Sequence, residues 1–165
     1  MRNQEYYRFG PWVIEISEDD PPPPLFVPYL TRAEAPLLSV KIPRKIERRN
    51  ARPGMNLYDY VVSLYENDLV ILQRYGDDVR SFTFPYGEIK SIRFGEELLK
   101  GTLQIAVEGE DFELGFSTVS SELMRSLADL IREQYAEEAW AVPVQHEIDG
   151  SWDDLSYYFK GLLRK

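Results

Sequence analysis

Between Leu57 and Tyr135 the hydrophobic period of the chain changes once. Up to Ser117, apolar side chains recur at every second residue in short runs closed by turns. From Ser120 onward they recur at three and four. That order specifies consecutive antiparallel hairpins followed by one closing helix. In LYDYVVSLYE (57–66), Tyr58, Tyr60, Val62 and Leu64 share a side. LVILQRY (69–75) follows, then VRSFTFPY (79–86) with Phe82, Phe84 and Tyr86 on one face. EIKSIRF (88–94), TLQIAV (102–107) and DFELGFS (111–117) complete the series; the last two place Leu103, Ile105 and Val107, then Phe112, Leu114 and Phe116, on single faces. Glu66-Asn67-Asp68, Gly76-Asp77-Asp78 and Gly109-Glu110 are turns, and Gly87 marks a bulge or corner.

In SSELMRSLADLIREQY (120–135), Leu123, Leu127, Leu130, Ile131 and Tyr135 fall on one helical stripe. Ser120 suits the N-cap, and Glu122 suits the positive end of the helix.

The flanks are less regular. Residues 1–36 are expected to form an irregular extension packed on the domain, with PWVIEIS (11–17) as one strand. Glu18-Asp19-Asp20 and the prolines Pro21 to Pro24 end it, since a proline run favours polyproline II and cannot donate ladder hydrogen bonds. This run reads as a spacer rather than as a ligand for a proline-binding module. LFVPYL (25–30) is apolar enough to lie against the domain. SVKIPRKIERRN (39–50) reads as a strand, with Val40, Ile42 and Ile46 on one face and Lys41, Lys45, Glu47 and Arg49 on the other. Pro43 places it at an edge or a bulge. Past Ala136, AWAVPVQHEI (139–148) is expected along the surface. DDLSYYFKGLL (153–163) carries Leu155, Tyr158, Phe159, Leu162 and Leu163 at helical spacing. The expected fold is mainly β with α: an antiparallel half-barrel of about six to seven strands closed by one C-terminal amphipathic helix, plus a short extra helix in the tail. The expected divisions are an extension at 1–36, the half-barrel and helix at 37–138, and a second extension at 139–165.

Composition narrows the function classes. Zero cysteines exclude disulfides, thiolate metal sites and cysteine nucleophiles. His146 is the one histidine, so multi-histidine metal and base arrangements are excluded. The acidic pairs Asp19-Asp20, Asp77-Asp78 and Asp153-Asp154 lack the alternating oxygen-ligand spacing of a calcium loop. No nucleophile elbow, phosphate-binding glycine loop, dinucleotide fingerprint or zinc-protease motif occurs. No enzyme activity, cofactor or metal is expected. A net charge of −9 disfavours nucleic acid. No run approaches the roughly 18 apolar residues of a membrane span, and no basic region followed by an apolar one opens the chain. The expected location is the cytoplasm, with a peripheral place at the membrane as an option.

The sharpest local feature is basic. From Lys41 to Arg52, six of twelve residues are Lys or Arg (Lys41, Arg44, Lys45, Arg48, Arg49, Arg52) and one is Glu, a charge of +5 that leaves −14 on the other 153 residues. Such asymmetry has two readings: an anionic partner, or pairing with the chain's own carboxylates. On the first, these six residues are the candidate ligand-binding set, facing either an anionic membrane surface or an acidic protein. The apolar segment 153–163 reads first as packing on its own domain, with a second copy of the chain or a continuation in a longer protein as the alternatives. The runner-up function is protein or peptide binding through an exposed barrel edge or this segment, which also offers a route to a homo-oligomer. Salt separates the two, because exposed charges are screened and apolar contacts are not.

Two stretches carry a family resemblance. FPYGEIKSIRFGEELLKGTLQIAV (84–107) is similar to an aromatic-rich strand, a corner, and a paired strand of the bacterial PH-like domains. DFELGFSTVSSELMRSLADLIR (111–132) is similar to their last strand running into the closing helix. The resemblance covers roughly 39–136. It implies a bacterial source, the pleckstrin-homology superfold and a non-catalytic binding or scaffolding role. In that family, basic residues on two neighbouring strands of the first hairpin hold phosphoinositides. Here the first candidate strand is basic, and the next, 57–66, carries neither Lys nor Arg.

Overall fold

The structure, a computed structural model, describes residues 2–141, with side chains described for 5–136. The period-two segments form strands and the 3.6-period segment forms a helix. Eight strands make two antiparallel sheets: β1 (Ile14–Glu15), β2 (Leu38–Pro43), β3 (Tyr58–Leu64), β4 (Asp68–Tyr75) and β5 (Asp78–Pro85) in one, and β6 (Ile89–Glu97), β7 (Lys100–Val107) and β8 (Glu110–Ser117) in the other. Strand order follows chain order in both sheets. A 3-10 corner at Tyr86–Glu88, around Gly87, carries the chain from the first sheet to the second. Helix α2 (Ser121–Ala141) closes the fold. The architecture is the mainly β half-barrel with a terminal helix that the periodicity specifies, with eight described strands and no closed barrel.

The inner faces of the sheets meet in one core. Val40, Ile42, Val62, Leu64, Leu69 and Ile71 come from the five-stranded sheet, and Leu103, Ile105, Val107, Phe112, Leu114 and Phe116 from the other. Phe82 and Phe84 reach across to Phe112, with ring centroids 5.0 and 5.7 Å away. Helix α2 adds Met124, Leu127, Ala128 and Ile131. The buried stripe is therefore centred one position from the one read in sequence: Leu123 and Leu130 sit at its margin, and Tyr135 is exposed.

The five-stranded sheet is covered on its outer face as well. Val61, Val70, Leu72 and Val79 point away from the first core and join a second, completed by Phe9, Phe26, Ala51, Leu57 and Tyr58. Strands buried on both sides read as continuous apolar runs, and LVIL in β4 is such a run. Tyr58 departs from the side expected for it because the register with β2 shifts between Ile42 and Pro43. One extra residue on β3 turns Tyr58 to the outer face.

The N-terminal segment supplies the cover, and it is more ordered than an irregular arm. It holds α1 (Arg2–Arg8), the two-residue β1 where PWVIEIS predicted a longer strand, and a 3-10 turn at Val27–Tyr29. Pro23 and Phe26 are buried, and the Phe26 amide donates to the Pro23 carbonyl at 2.9 Å. Ser120, expected as the N-cap, ends a 3-10 turn instead, and its hydroxyl accepts from the Val13 amide at 2.8 Å. The expected helix at 153–163, His146 and Asp153-Asp154 lie outside the described residues.

Candidate functional site

The basic segment does not form one strand. Strand β2 ends at Pro43, where the missing N–H and the register shift stop the ladder. Residues 44–47 are irregular, and Arg48–Asn50 make a 3-10 turn. Of the six cations only Lys41 stands in the sheet, and the others ride on the loop to β3.

Lys41 is turned inward. It lies on the outer face, paired with Ile14 of β1 and Val61 of β3, and is 6% exposed. Its Nζ donates to the Pro21 carbonyl at 2.9 Å and sits 5.1 Å from the Tyr58 ring centroid. Burial pushes its ammonium below the ordinary value, Asp20 and Glu5 oppose that, and Arg8 adds to it. Tyr58 is pushed up, first by burial and then by Glu5 and Asp20. A cation under a sealed segment meets no external anion, so Lys41 leaves the candidate surface and belongs to the second core.

Arg44 is half-buried and donates to the Asn56 carbonyl at 3.0 Å. It lines a cleft of about 600 Å³ that also holds Asn56, Arg74 and Asp77. Arg74, on β4, was not marked by the sequence reading, because a single Arg in a strand carries no signal until the fold sets it beside Arg44. Its guanidinium is engaged, with Nε and Nη2 on Asp59 Oδ1 at 2.9 and 2.8 Å. Two arginines against Asp59 and Asp77 leave the cleft with no net charge, which makes it a weak anion site.

The remaining four, the basic ledge, are exposed along this loop. Lys45 runs over Gly115 of β8, where a Cβ would overlap its ammonium end. Arg48 stacks on Tyr6, 4.5 Å from guanidinium carbon to ring centroid, and donates to the Tyr6 carbonyl. Arg49 pairs with Glu47. Arg52 is exposed, and neither it nor Lys45 forms an ion pair among the described residues. The self-neutralising reading holds for one exposed pair, Arg49 with Glu47, and an exposed pair of this kind is worth about 0–1 kcal/mol.

Among the described residues no group of three or more Asp, Glu, His or Cys is placed to hold a metal ion, and no helix is long and apolar enough to cross a membrane. Comparison with protein-family models, with curated proteins and with solved structures returned no match to this chain.

Proposed function

We propose that this chain is a non-catalytic binding module of PH-like type that docks an anionic surface through the loop between β2 and β3. The observation that carries this reading is the exposed ledge of Lys45, Arg48, Arg49 and Arg52. Residues 44–52 hold five cations against Glu47, a charge of +4, so the chain total of −9 leaves −13 elsewhere. Arg48, held against Tyr6, presents its charge from a fixed position. The PH-like part of the proposal is supported by the order of elements: β2 to β5 in one sheet, β6 to β8 in the other, then α2.

Magnitude limits the mode of docking. Basic residues near an anionic lipid surface contribute about 1 kcal/mol each. Four of them give about 4 kcal/mol, close to millimolar affinity. The ledge therefore supports reversible, peripheral attachment that a second contact strengthens.

Co-sedimentation with vesicles of anionic and of neutral lipid tests this. Changing Lys45, Arg49 and Arg52 to Ser removes charge while leaving Arg48 on Tyr6. Binding by wild type to anionic vesicles alone, weakened at least tenfold in the variant, is the expected result. Wild type that ignores anionic vesicles overturns the lipid form and leaves an acidic protein face as the partner. A second reading is peptide pairing along β5, whose far side has no described partner strand. It predicts binding insensitive to the three substitutions.

A further inference from the structure

Three of the ten exposed large apolar side chains among the described residues lie on neighbouring segments at one edge: Leu98, Leu99 and Val119, at 92, 79 and 73% exposure. They come from two segments, and two hydrogen bonds anchor the second of them. The Thr118 amide donates to the Leu99 carbonyl at 3.2 Å, and the Val13 amide donates to Ser120 Oγ at 2.8 Å. Val119 lies between those two anchors, beside the β6–β7 tip. Leu98 also holds φ +53°. Leucine is disfavoured there by its backbone and left in water by its position, so nothing local favours it.

The edge borders a groove of about 780 Å³ at the start of α2, lined by Glu96, Leu98, Val119, Glu122, Arg125 and Asp129. Three carboxylates against Arg125 give it a charge of −2. Its complement is an apolar segment with a cationic end. The chain contains one: Leu155, Tyr158, Phe159, Leu162 and Leu163, with Lys160, Arg164 and Lys165 toward its end and Asp153-Asp154 at its start, a net charge of +1 over 153–165.

We propose that this edge is the docking site for residues 153–165 of the same chain. The distance allows it. Helix α2 leaves from the edge and its 21 residues span about 31 Å. Residues 142–154, fully extended, reach about 43 Å, enough to return along it. This inference is independent of the basic ledge.

The absence of cysteine makes the test clean. The full chain carrying Leu98→Cys and Leu162→Cys is oxidised at micromolar concentration, beside a control pair of Val27→Cys and Leu162→Cys. Both partner sites are exposed, so the fold tolerates either substitution. Expected is an intramolecular disulfide forming at least tenfold faster in the first protein, and slowed when Glu96, Glu122 and Asp129 are changed to Lys. Equal rates in the two proteins overturn the proposal. A disulfide-linked dimer in place of the internal bond also overturns it, assigning the edge to a second copy.

Discussion

The Val13 amide donates to the Ser120 hydroxyl at 2.8 Å across a sequence separation of 107. Both residues are buried, so the bond ties the N-terminal cover to the start of α2 where water cannot substitute. Ser120→Ala leaves the Val13 amide without its acceptor. A buried donor stranded in this way costs about 1–3 kcal/mol. Urea unfolding is expected to show that loss, and hydrogen exchange at the Val13 amide is expected to accelerate. Unchanged exchange at Val13 would show that the bond does not hold the cover.

Lys41 gives the fold a pH dependence whose sign is fixed by burial. Its folded pKa lies below the ordinary 10.5. Between those two values the unfolded chain binds a proton that the folded chain has released. Stability therefore rises with pH across that window, and the burial penalty is fully present below it. Tyr58, pushed up by burial, acts in the opposite sense above pH 10. Lys41→Met keeps the tyrosine and removes the ammonium. The variant is expected to be at least as stable as wild type at pH 7. The difference, wild type minus variant, should climb as pH approaches 10.5. A flat difference would mean that Lys41 is hydrated in solution.

Two glycines on neighbouring strands should respond differently to alanine. A Cβ at Gly101 overlaps the Phe116 ring, which is fixed in the first core, whereas one at Gly115 meets only the end of the Lys45 side chain. Overpacking against a core ring costs about 1–3 kcal/mol. Gly101→Ala is expected to lower the melting temperature by several degrees. Gly115→Ala is expected to leave it within about one degree, because Lys45 swings aside. Thermal melts read by circular dichroism compare them, and a larger loss at Gly115 would contradict the packing described.

Vesicle binding through the ledge should be salt-sensitive. The screening length falls from about 10 Å at 0.1 M salt to about 3 Å at 1 M. Sedimentation with anionic vesicles is expected to drop at least tenfold across that range. Binding that survives 1 M salt would assign the contact to apolar groups instead.

The half-barrel was legible because its strands alternate where one face is buried, as Leu103, Ile105 and Val107 do against Gln104 and Ala106. Helix α2 was legible for the same reason at period 3.6. The outer core was legible only in outline: LFVPYL is apolar enough to lie against the domain, but the face it covers carries no local signal. The partners of Val61, Val70 and Leu72 are Phe9 and Phe26, which sit in segments with no period of their own. The basic loop was misread as strand because Ile42, Ile46 and the alternating cations imitate period two, while Pro43 ends the ladder. Lys41 looked like a surface charge because its burial depends on Pro21, twenty residues upstream. Ser120 carries a capping side chain, and local sequence cannot disclose that a distant amide uses it. The exposure of Lys45, Arg48, Arg49 and Arg52 follows from their charge, which needs no tertiary partner to keep it in water.

The second core also sets an order of events during synthesis. Phe9 and Phe26 leave the ribosome first, and the surface they cover is unfinished until Val79 has emerged. The bond from Val13 waits longer still, for Ser120. Until both are made, Phe9, Val13 and Phe26 lack the surfaces that bury them. Pro21 to Pro24, which lack an amide donor, keep the link between β1 and Phe26 itself out of any strand ladder while that sheet is completed.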